Sequence, residues 1–424
     1  MSSPAPLRVA VLGAGTVGGA VVRAFVERPA TLAPFGGARL VLAGVAVRDL
    51  ARAAGRGIPA DLLTDAPAHL VADPGVDVVV ELMGDDEPAR TLVAAALGAG
   101  RAVVTANKHV IAHHGRELEA IARRSGGVLR FEAAVGGGIP LLTPLASDLA
   151  ANTVRRVRGI VNGTTNHILT AMRDGGRAYG DVLAEARAKG YAEADPRGDV
   201  EGDDAVNKLV LLARLAFGTW LDPASVVRTP PTVRGAGRPG ITGVTALEMA
   251  GAALLGLDLK LLAVGERGPG GTVAATVLPT AVAAGGDLGR TAGVRNRVEV
   301  LADPVGDVAF SGPGAGGDPT SSAVLGDLLA IARGEGSTWA GLPPAPDAPA
   351  RADVADPFAA PRAWLAVLPR VARADLELRG AAAIAEVDGG AVVRTARLAL
   401  AQARAAIAPL LPAGIDATLY PVAE

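Results

Sequence analysis

Cysteine is absent from all 424 positions of the sequence. Without it there is no thiol nucleophile, no thiolate zinc site, no iron–sulfur cluster and no disulfide. Any aldehyde chemistry must therefore run without a covalent thiohemiacetal. Runs of basic charge are missing too: the formal net charge is −2, so a nucleic-acid footprint is not supported. No stretch reaches the roughly 18 uninterrupted apolar residues that a membrane helix needs. Met1–Pro6 has neither the basic nor the apolar region of a secretory leader. These absences set the expectation of a cytoplasmic protein with no nucleic-acid and no membrane partner.

Lysine is scarce. The chain has 41 basic residues, but only Lys108, Lys189, Lys208 and Lys260 are lysines. Where arginine serves as well, this chain uses arginine, so each lysine is a candidate for work that needs a titratable amine.

What is present is a pattern of alternating elements. Leu7–Gly13 is a short apolar run ending in glycine, and Thr16–Glu27 reads as a helix. Apolar strands are expected at 39–47, 76–83, 101–105 and 128–135, with helices at 88–97 and 115–124. Near-continuous apolar strands alternating with helices predict a parallel sheet covered on both faces, the doubly wound α/β architecture of dinucleotide-binding domains. From about Ile139 the texture changes. Helices at 141–150, 164–173, 179–189 and 203–217 accompany strands at 154–161, 259–264 and 272–278, which predicts a second α/β domain.

Gly13-Ala-Gly15-Thr16-Val17-Gly18 follows a strand and opens a helix. Gly13 and Gly15 suit a tight turn and close approach to a pyrophosphate, while Gly18 lets helix and strand pack closely. An ordinary glycine turn is the competing reading, and the strand–turn–helix context favours the dinucleotide. The second strand ends at Arg48. An arginine there suits the 2′-phosphate of NADP, with NAD the alternative and a solvated strand-end charge the plain reading. Lys108 lies just past the end of a parallel strand, in Thr105-Ala-Asn-Lys108, where open α/β sheets bind ligands.

On the helix from Asp203, the residues Asp203, Asn207 and Arg214 form a polar stripe expected to face water. Lys208 lies off that stripe, among Leu211, Leu212 and Leu215, with Asp204 one turn before it. Such a pair suits proton transfer, or else is a structural ion pair. Lys189 and Lys260 show no comparable pattern. Upstream, Glu193, Asp195, Asp199, Glu201, Asp203 and Asp204 form either a solvated acidic loop or a site for a substrate ammonium. The spacing does not match a calcium loop. His109 and His113 are read as part of a solvated helix.

The stretch from Ala186 to Lys208, with Gly190, Glu193, Asp199, Asp204 and Lys208 in place, closely resembles the motif of the homoserine dehydrogenase family. Thr105–Lys108, Phe131–Pro140, Asn162–Asn166 and Gly312–Thr320 resemble further family segments, in family order. The resemblance implies interconversion of L-homoserine and L-aspartate 4-semialdehyde with NADP or NAD. It implies Lys208 as the proton-transfer group, Lys108 in contact with cofactor and substrate, and Glu193 and Asp204 at the substrate amine with Asp199 in support. It places Thr105, Gly190 and Gly316 at the cofactor, and Glu132 with the carbonyls of Val135, Gly137 and Ile139 around a monovalent cation, typically sodium. It implies a homodimer, with a tetramer the alternative.

The implied organisation is a Rossmann-type domain over 1–138, completed by about 300–334, and a catalytic and dimerisation domain over 139–299. A linker at 335–361 and a degenerate ACT-like tail at 362–424 follow. Three features depart from the family pattern: Asp85 and Asp86 stand where glycines are usual, His167 replaces a tyrosine, and the tail lacks the usual ACT turn. They leave open a paralogue acting on a related amino alcohol or amino aldehyde. A catalytically silent cofactor-binding protein is disfavoured, because a sensor needs no proton-transfer lysine.

Overall fold

The computed structural model describes residues 5–32, 37–190, 193, 195–345, 354–373 and 381–423. Tyr191, Ala192 and Ala194 of the family-like motif, and 346–353 of the expected linker, lie outside the described residues. Along the chain come β1 (Leu7–Leu12), α1 (Thr16–Glu27), β2 (Leu40–Ala46), α2 (Leu50–Ala54), β3 (Leu63–Thr64), α3 (Pro67–Ala72), β4 (Val78–Glu81) and α4 (Ala89–Gly98). Then follow β5 (Ala102–Thr105), α5 (Lys108–Ser125), β6 (Val128–Arg130), α6 (Leu142–Ala146), β7 (Thr153–Ile160), α7 (Gly163–Gly175), α8 (Tyr179–Ala188), α9 (Arg197–Val200) and α10 (Asp203–Phe217). The middle of the chain holds α11 (Ala246–Leu254), β8 (Leu257–Arg267), β9 (Val273–Ala283), α12 (Asp287–Arg290), β10 (Arg295–Asp303), β11 (Gly306–Pro313) and α13 (Gly317–Ala332). The last elements are β12 (Trp364–Pro369), β13 (Ala381–Val387), β14 (Gly390–Thr395), α14 (Leu400–Ile407) and β15 (Leu419–Pro421). Among the described residues no helix is long and apolar enough to cross a membrane.

The chain divides into two compact units, 1–153 with 210–223 and 312–349, and 154–209 with 224–311 and 350–424. These bounds differ from those expected from sequence: 139–153 sits with the first unit, and the tail joins the second.

The first unit carries a six-stranded sheet in the order β3-β2-β1-β4-β5-β6, with every adjacent pair parallel. This is the dinucleotide-binding order, and its switch point lies between β1 and β4. Val9, Val11, Val78, Val80 and Val104 form the middle of its core, and Val324 and Leu328 of α13 belong to the same cluster. The chain from about residue 312 thus completes this unit. β6 ends at Arg130, short of the expected strand to 135, because Glu132 turns the chain. Its Oε1 accepts from the amides of Leu141 and Leu142 at 2.7 and 2.8 Å, and its Oε2 from that of Thr143 at 2.7 Å.

The expected solvent stripe on α10 holds at Asp203, which is exposed, and fails at the other two positions. Asn207 is buried and Arg214 has 0% exposure. Arg214 binds Glu119 through Nε at 2.9 Å and Nη2 at 2.7 Å, and the Trp220 indole donates to the same carboxylate at 2.8 Å. A polar stripe marks a helix face that needs polar partners, and here Arg214 finds them inside the unit.

The second unit holds a five-stranded sheet, β11-β10-β7-β8-β9, in which β8 pairs antiparallel with both β7 and β9. Its four-stranded tail sheet runs β13-β14-β12-β15, with β12 antiparallel to β14 and β15 and β13 antiparallel to β14. Those are the order and directions of a βαββαβ sheet. One face, with Trp364, Ala366 and Leu368, shares a core with Ala403 and Ile407 of α14. The other face meets α11, where a Cβ on Gly251 would lie 2.9 Å from Val367 Cγ2. The tail is tied to β9 by the Ala423 amide donating to the Ala281 carbonyl at 2.8 Å.

Candidate active site

In the first unit the glycine loop is built as its spacing demands. Gly13 has φ +97°, and a Cβ there would stand 2.6 Å from the Leu82 carbonyl oxygen. A Cβ on Gly18 would stand 1.9 Å from the Gly13 carbonyl oxygen, so any side chain there separates helix from turn. Gly15 meets nothing within 4 Å, which leaves its backbone open for approach at the start of α1. Gly316, with φ +119°, precedes Gly317, whose added Cβ would lie 3.1 Å from the Thr16 carbonyl oxygen. Val17 is half-buried. A cavity of about 600 Å³ lies here, lined among others by Gly15, Thr16, Arg23, Arg56 and Gly317. The bare helix N-terminus, the unhindered glycine backbone and Arg23 and Arg56 suit an anion, although Glu27 and Asp318 also line the cavity and Asp318 lies 3.5 Å from Arg23. Arg48 is exposed at the end of β2, while Asp49 is committed as the cap of α2, accepting from the Arg52 amide at 2.9 Å.

Lys108 is the first residue of α5, which Asn107 caps by accepting the Val110 amide at 3.2 Å. The turn is held from below by Glu81, at the end of β4. Glu81 is fully buried, accepts from the Thr105 hydroxyl at 2.6 Å and from the Met83 amide at 2.7 Å, and burial pushes its carboxyl pKa up. Thr105 Oγ1 in turn accepts the Asn107 amide at 2.9 Å, and Asn107 Nδ2 donates to the Asp85 carbonyl at 2.8 Å. Thr105 therefore acts here through its hydroxyl, as a support of the lysine turn. Asp86 is engaged by His114 at 3.0 Å, and His109 stacks on His113 with ring centroids 4.2 Å apart.

The second unit brings together Lys208, Asp204 and Asp199. Lys208 is 8% exposed; its Nζ donates to Asp204 Oδ2 and to the Val161 carbonyl, each at 2.7 Å. Two of the three ammonium donors are so oriented, which leaves one direction for a substrate oxygen. Asn162 joins the carboxylates: its Nδ2 donates to Asp199 Oδ1 at 2.7 Å and to Asp204 Oδ2 at 2.8 Å. Burial, with the Asp204 charge adding to it, pushes the Asp199 pKa up. Two half-buried carboxylates beside one buried lysine can accept a further cationic group.

Glu193 is exposed, and no contact of its side chain with this cluster is present among the described residues. Gly190 follows α8 with φ +73°. The Glu132 carboxylate accepts the three amides that turn the chain, two on Oε1 and one on Oε2, which leaves acceptor capacity on Oε2. The carbonyls of Val135, Gly137 and Ile139 accept no hydrogen bond among the described residues.

Sequence reasoning passed over Asn162 and Glu81 as site residues. An asparagine directly before a helix is a capping signal, and Asn162 does cap α7, accepting the Thr165 amide at 2.8 Å. A carboxylate ending the run Val78-Val79-Val80-Glu81 is a charge where none should be buried without a task.

Comparison with known proteins gives a consistent result. The family described as "Homoserine dehydrogenase" matches residues 140–329, and "Homoserine dehydrogenase, NAD binding domain" matches residues 13–132. A homoserine dehydrogenase of Mycobacterium tuberculosis is 46% identical over 332 residues, covering 77% of this chain and 73% of that one. The crystal structure of a homoserine dehydrogenase from Thiobacillus denitrificans superposes with a TM-score of 0.88 at 32% identity, over 100% of both chains. A hyperthermophilic archaeal homoserine dehydrogenase in complex with NADPH matches with a TM-score of 0.62 at 26% identity, over 77% of this chain and 97% of that one.

Proposed function

From the premise that this chain belongs to the homoserine dehydrogenase family, we infer how its residues divide the labour of the reaction. The chain interconverts L-homoserine and L-aspartate 4-semialdehyde with a nicotinamide cofactor, a step of amino-acid biosynthesis. The cofactor, when bound, supplies the acceptor or donor of the hydride. Gly13, Gly15, Thr16, Val17, Gly18, Gly190 and Gly316 hold it through backbone. Arg48 reads the 2′-phosphate, which makes NADP the preferred form over NAD.

The observation that carries the division is the buried Lys208, held between Asp204 and the Val161 carbonyl. Its Nζ takes the proton of the substrate hydroxyl in oxidation and returns it to the alkoxide oxygen in reduction. Asp204 fixes that amine and, with Asp199 and Glu193, receives the substrate ammonium. Lys108 contacts substrate and cofactor from the α5 turn, supported by Thr105. A monovalent cation such as sodium is held by Glu132 with the backbone carbonyls of Val135, Gly137 and Ile139, because oxygen donors suit a hard cation. The family resemblance supports a homodimer in the cytoplasm.

The test is the absorbance of reduced nicotinamide with purified protein, L-homoserine and either NADP⁺ or NAD⁺ at alkaline pH. Rapid reduction with NADP⁺ is expected. A higher kcat/KM with another amino alcohol would overturn homoserine as the substrate and point to Asp85, Asp86 and His167.

A further inference from the structure

Lys260 is one of only four lysines, and it is wholly buried with 0% exposure. Its Nζ lies 3.1 Å from Asp258 Oδ2 and donates to the Thr291 carbonyl at 3.1 Å and to Asn166 Oδ1 at 3.4 Å. Asp258, 2% exposed, is also bound at 2.7 Å by Arg173, near the far end of α7. Burial pushes the Lys260 ammonium pKa down. A buried ion pair rarely adds net stability over apolar residues of the same shape, so its presence asks for another explanation.

The explanation lies in what the pair grips. Asn166 is 1% exposed, and besides Lys260 it donates through Nδ2 to the carbonyls of Thr291, Gly293 and Arg295 at 3.2, 2.9 and 3.3 Å. The same segment presses on the start of α7: a Cβ on Gly163 would be 2.9 Å from the Val294 carbonyl oxygen. Asn162 stands one turn before Asn166, on the same helix face. Asn162 is the group whose carboxamide joins Asp199 to Asp204. The register of α7 is thus fixed by Asn166, Asp258 and Lys260, and that register sets where Asn162 offers its amide.

We propose that Lys260 is a positioning residue: by clamping α7 through Asn166 and Asp258, it holds the Asn162 carboxamide where it pairs the two carboxylates that receive the substrate ammonium. This rests on the reading of Asp199 and Asp204 as the ammonium site.

The experiment compares the full-length enzyme with Lys260→Met and with the charge-neutral double variant Lys260→Met/Asp258→Asn, with Asp204→Asn as reference. Circular dichroism melts report folding, and steady-state kinetics report KM for homoserine and for NADP⁺ separately. Removing the lysine alone leaves a buried carboxylate opposed only by Arg173, so its melt is expected to fall, while removing both charges restores it. In the folded double variant, KM for homoserine rises by about tenfold, the equivalent of about 1.4 kcal/mol, and kcat falls. KM for NADP⁺ stays within about twofold, since a merely structural lesion lowers the amount of active enzyme and leaves both KM values alone.

Wild-type KM for homoserine in the folded double variant overturns the positioning role. Failure of that variant to fold overturns it as well, by showing that the pair serves stability. If Asp204→Asn itself leaves KM for homoserine unchanged, the ammonium-site reading falls first. If Asp204→Asn raises KM and the double variant does not, only the role of Lys260 falls.

Discussion

Lys208 and Asp204 stand one helical turn apart on α10, with Nζ 2.7 Å from Oδ2. The carboxylate precedes the amine, the favourable order for an ion pair along a helix. A pair that only braced the helix would gain little from burial, since desolvation offsets the attraction. Burial matters for proton transfer, because it excludes water from the amine and fixes its direction.

Replacing Lys208 by alanine is therefore expected to lower kcat by about 10²–10⁴-fold, the usual worth of a positioned acid–base group. Binding of NADP⁺, measured by fluorescence titration, should be unaffected. Turnover at the wild-type level would remove Lys208 from the mechanism.

Asp199 gives a prediction in pH. Its carboxyl pKa is raised, first by burial and then by the Asp204 charge. It therefore takes up a proton at a higher pH than an ordinary aspartate, and in that form it no longer attracts an ammonium. As pH falls through this raised pKa, kcat/KM for homoserine should drop while KM for NADP⁺ holds steady. Asp199→Asn should lower kcat/KM at neutral pH and flatten that limb of the profile. A limb of unchanged shape would assign it to another group.

Arg48 tests cofactor choice. It is exposed at the end of β2, whereas its neighbour Asp49 is occupied as a helix cap. On the proposed reading Arg48 pairs with the 2′-phosphate of NADP, as an arginine at this strand end can. Arg48→Ala should raise KM for NADPH by about tenfold or more, the scale of one charge-assisted contact, and move KM for NADH little. Equal changes would mean that Arg48 does not read the 2′-phosphate.

How far the sequence carried these points depends on sequence distance. The parallel sheet was legible because strands buried on both faces read as apolar runs, and the glycine loop because Gly13 and Gly18 constrain each other across five residues of chain. Lys208 was legible because its partner lies four residues away on the same helix. Arg214 was not: a polar stripe looks alike whether it meets water or a carboxylate 95 residues away, as Glu119 is. Lys260 was missed in part because Asn166 is 94 residues off, but its partner Asp258 is only two residues away on β8, a local signal lost because the strand was expected to start at Leu259. The part the Glu132 carboxylate plays in turning the chain was not legible either, because the amides it accepts, those of Leu141 and Leu142, lie nine and ten residues on. Motif spacing says which residues gather and not which donor each oxygen meets.

Asp327 yields the final prediction, and it concerns stability. This α13 carboxylate is 2% exposed and accepts from Arg130 Nε and from the Glu132 amide, both at 2.8 Å. Desolvation outweighs these bonds and raises its pKa from 3.8 to about 6. The folded chain thus holds the proton more tightly than the unfolded chain. Between about pH 4 and pH 6 the unfolded state binds fewer protons, so stability falls as pH rises through that window and levels off above it. A shift of this size corresponds to about 3 kcal/mol at most, at 1.36 kcal/mol per pH unit. Other carboxylates titrate in the same range, so the diagnostic quantity is a difference. In urea unfolding, the stability of wild type minus that of Asp327→Asn should be larger at pH 4.5 than at pH 7, wild type gaining on the variant as the pH is lowered. Parallel pH dependences in the two proteins would mean that Asp327 is already ionised throughout, held so by Arg130.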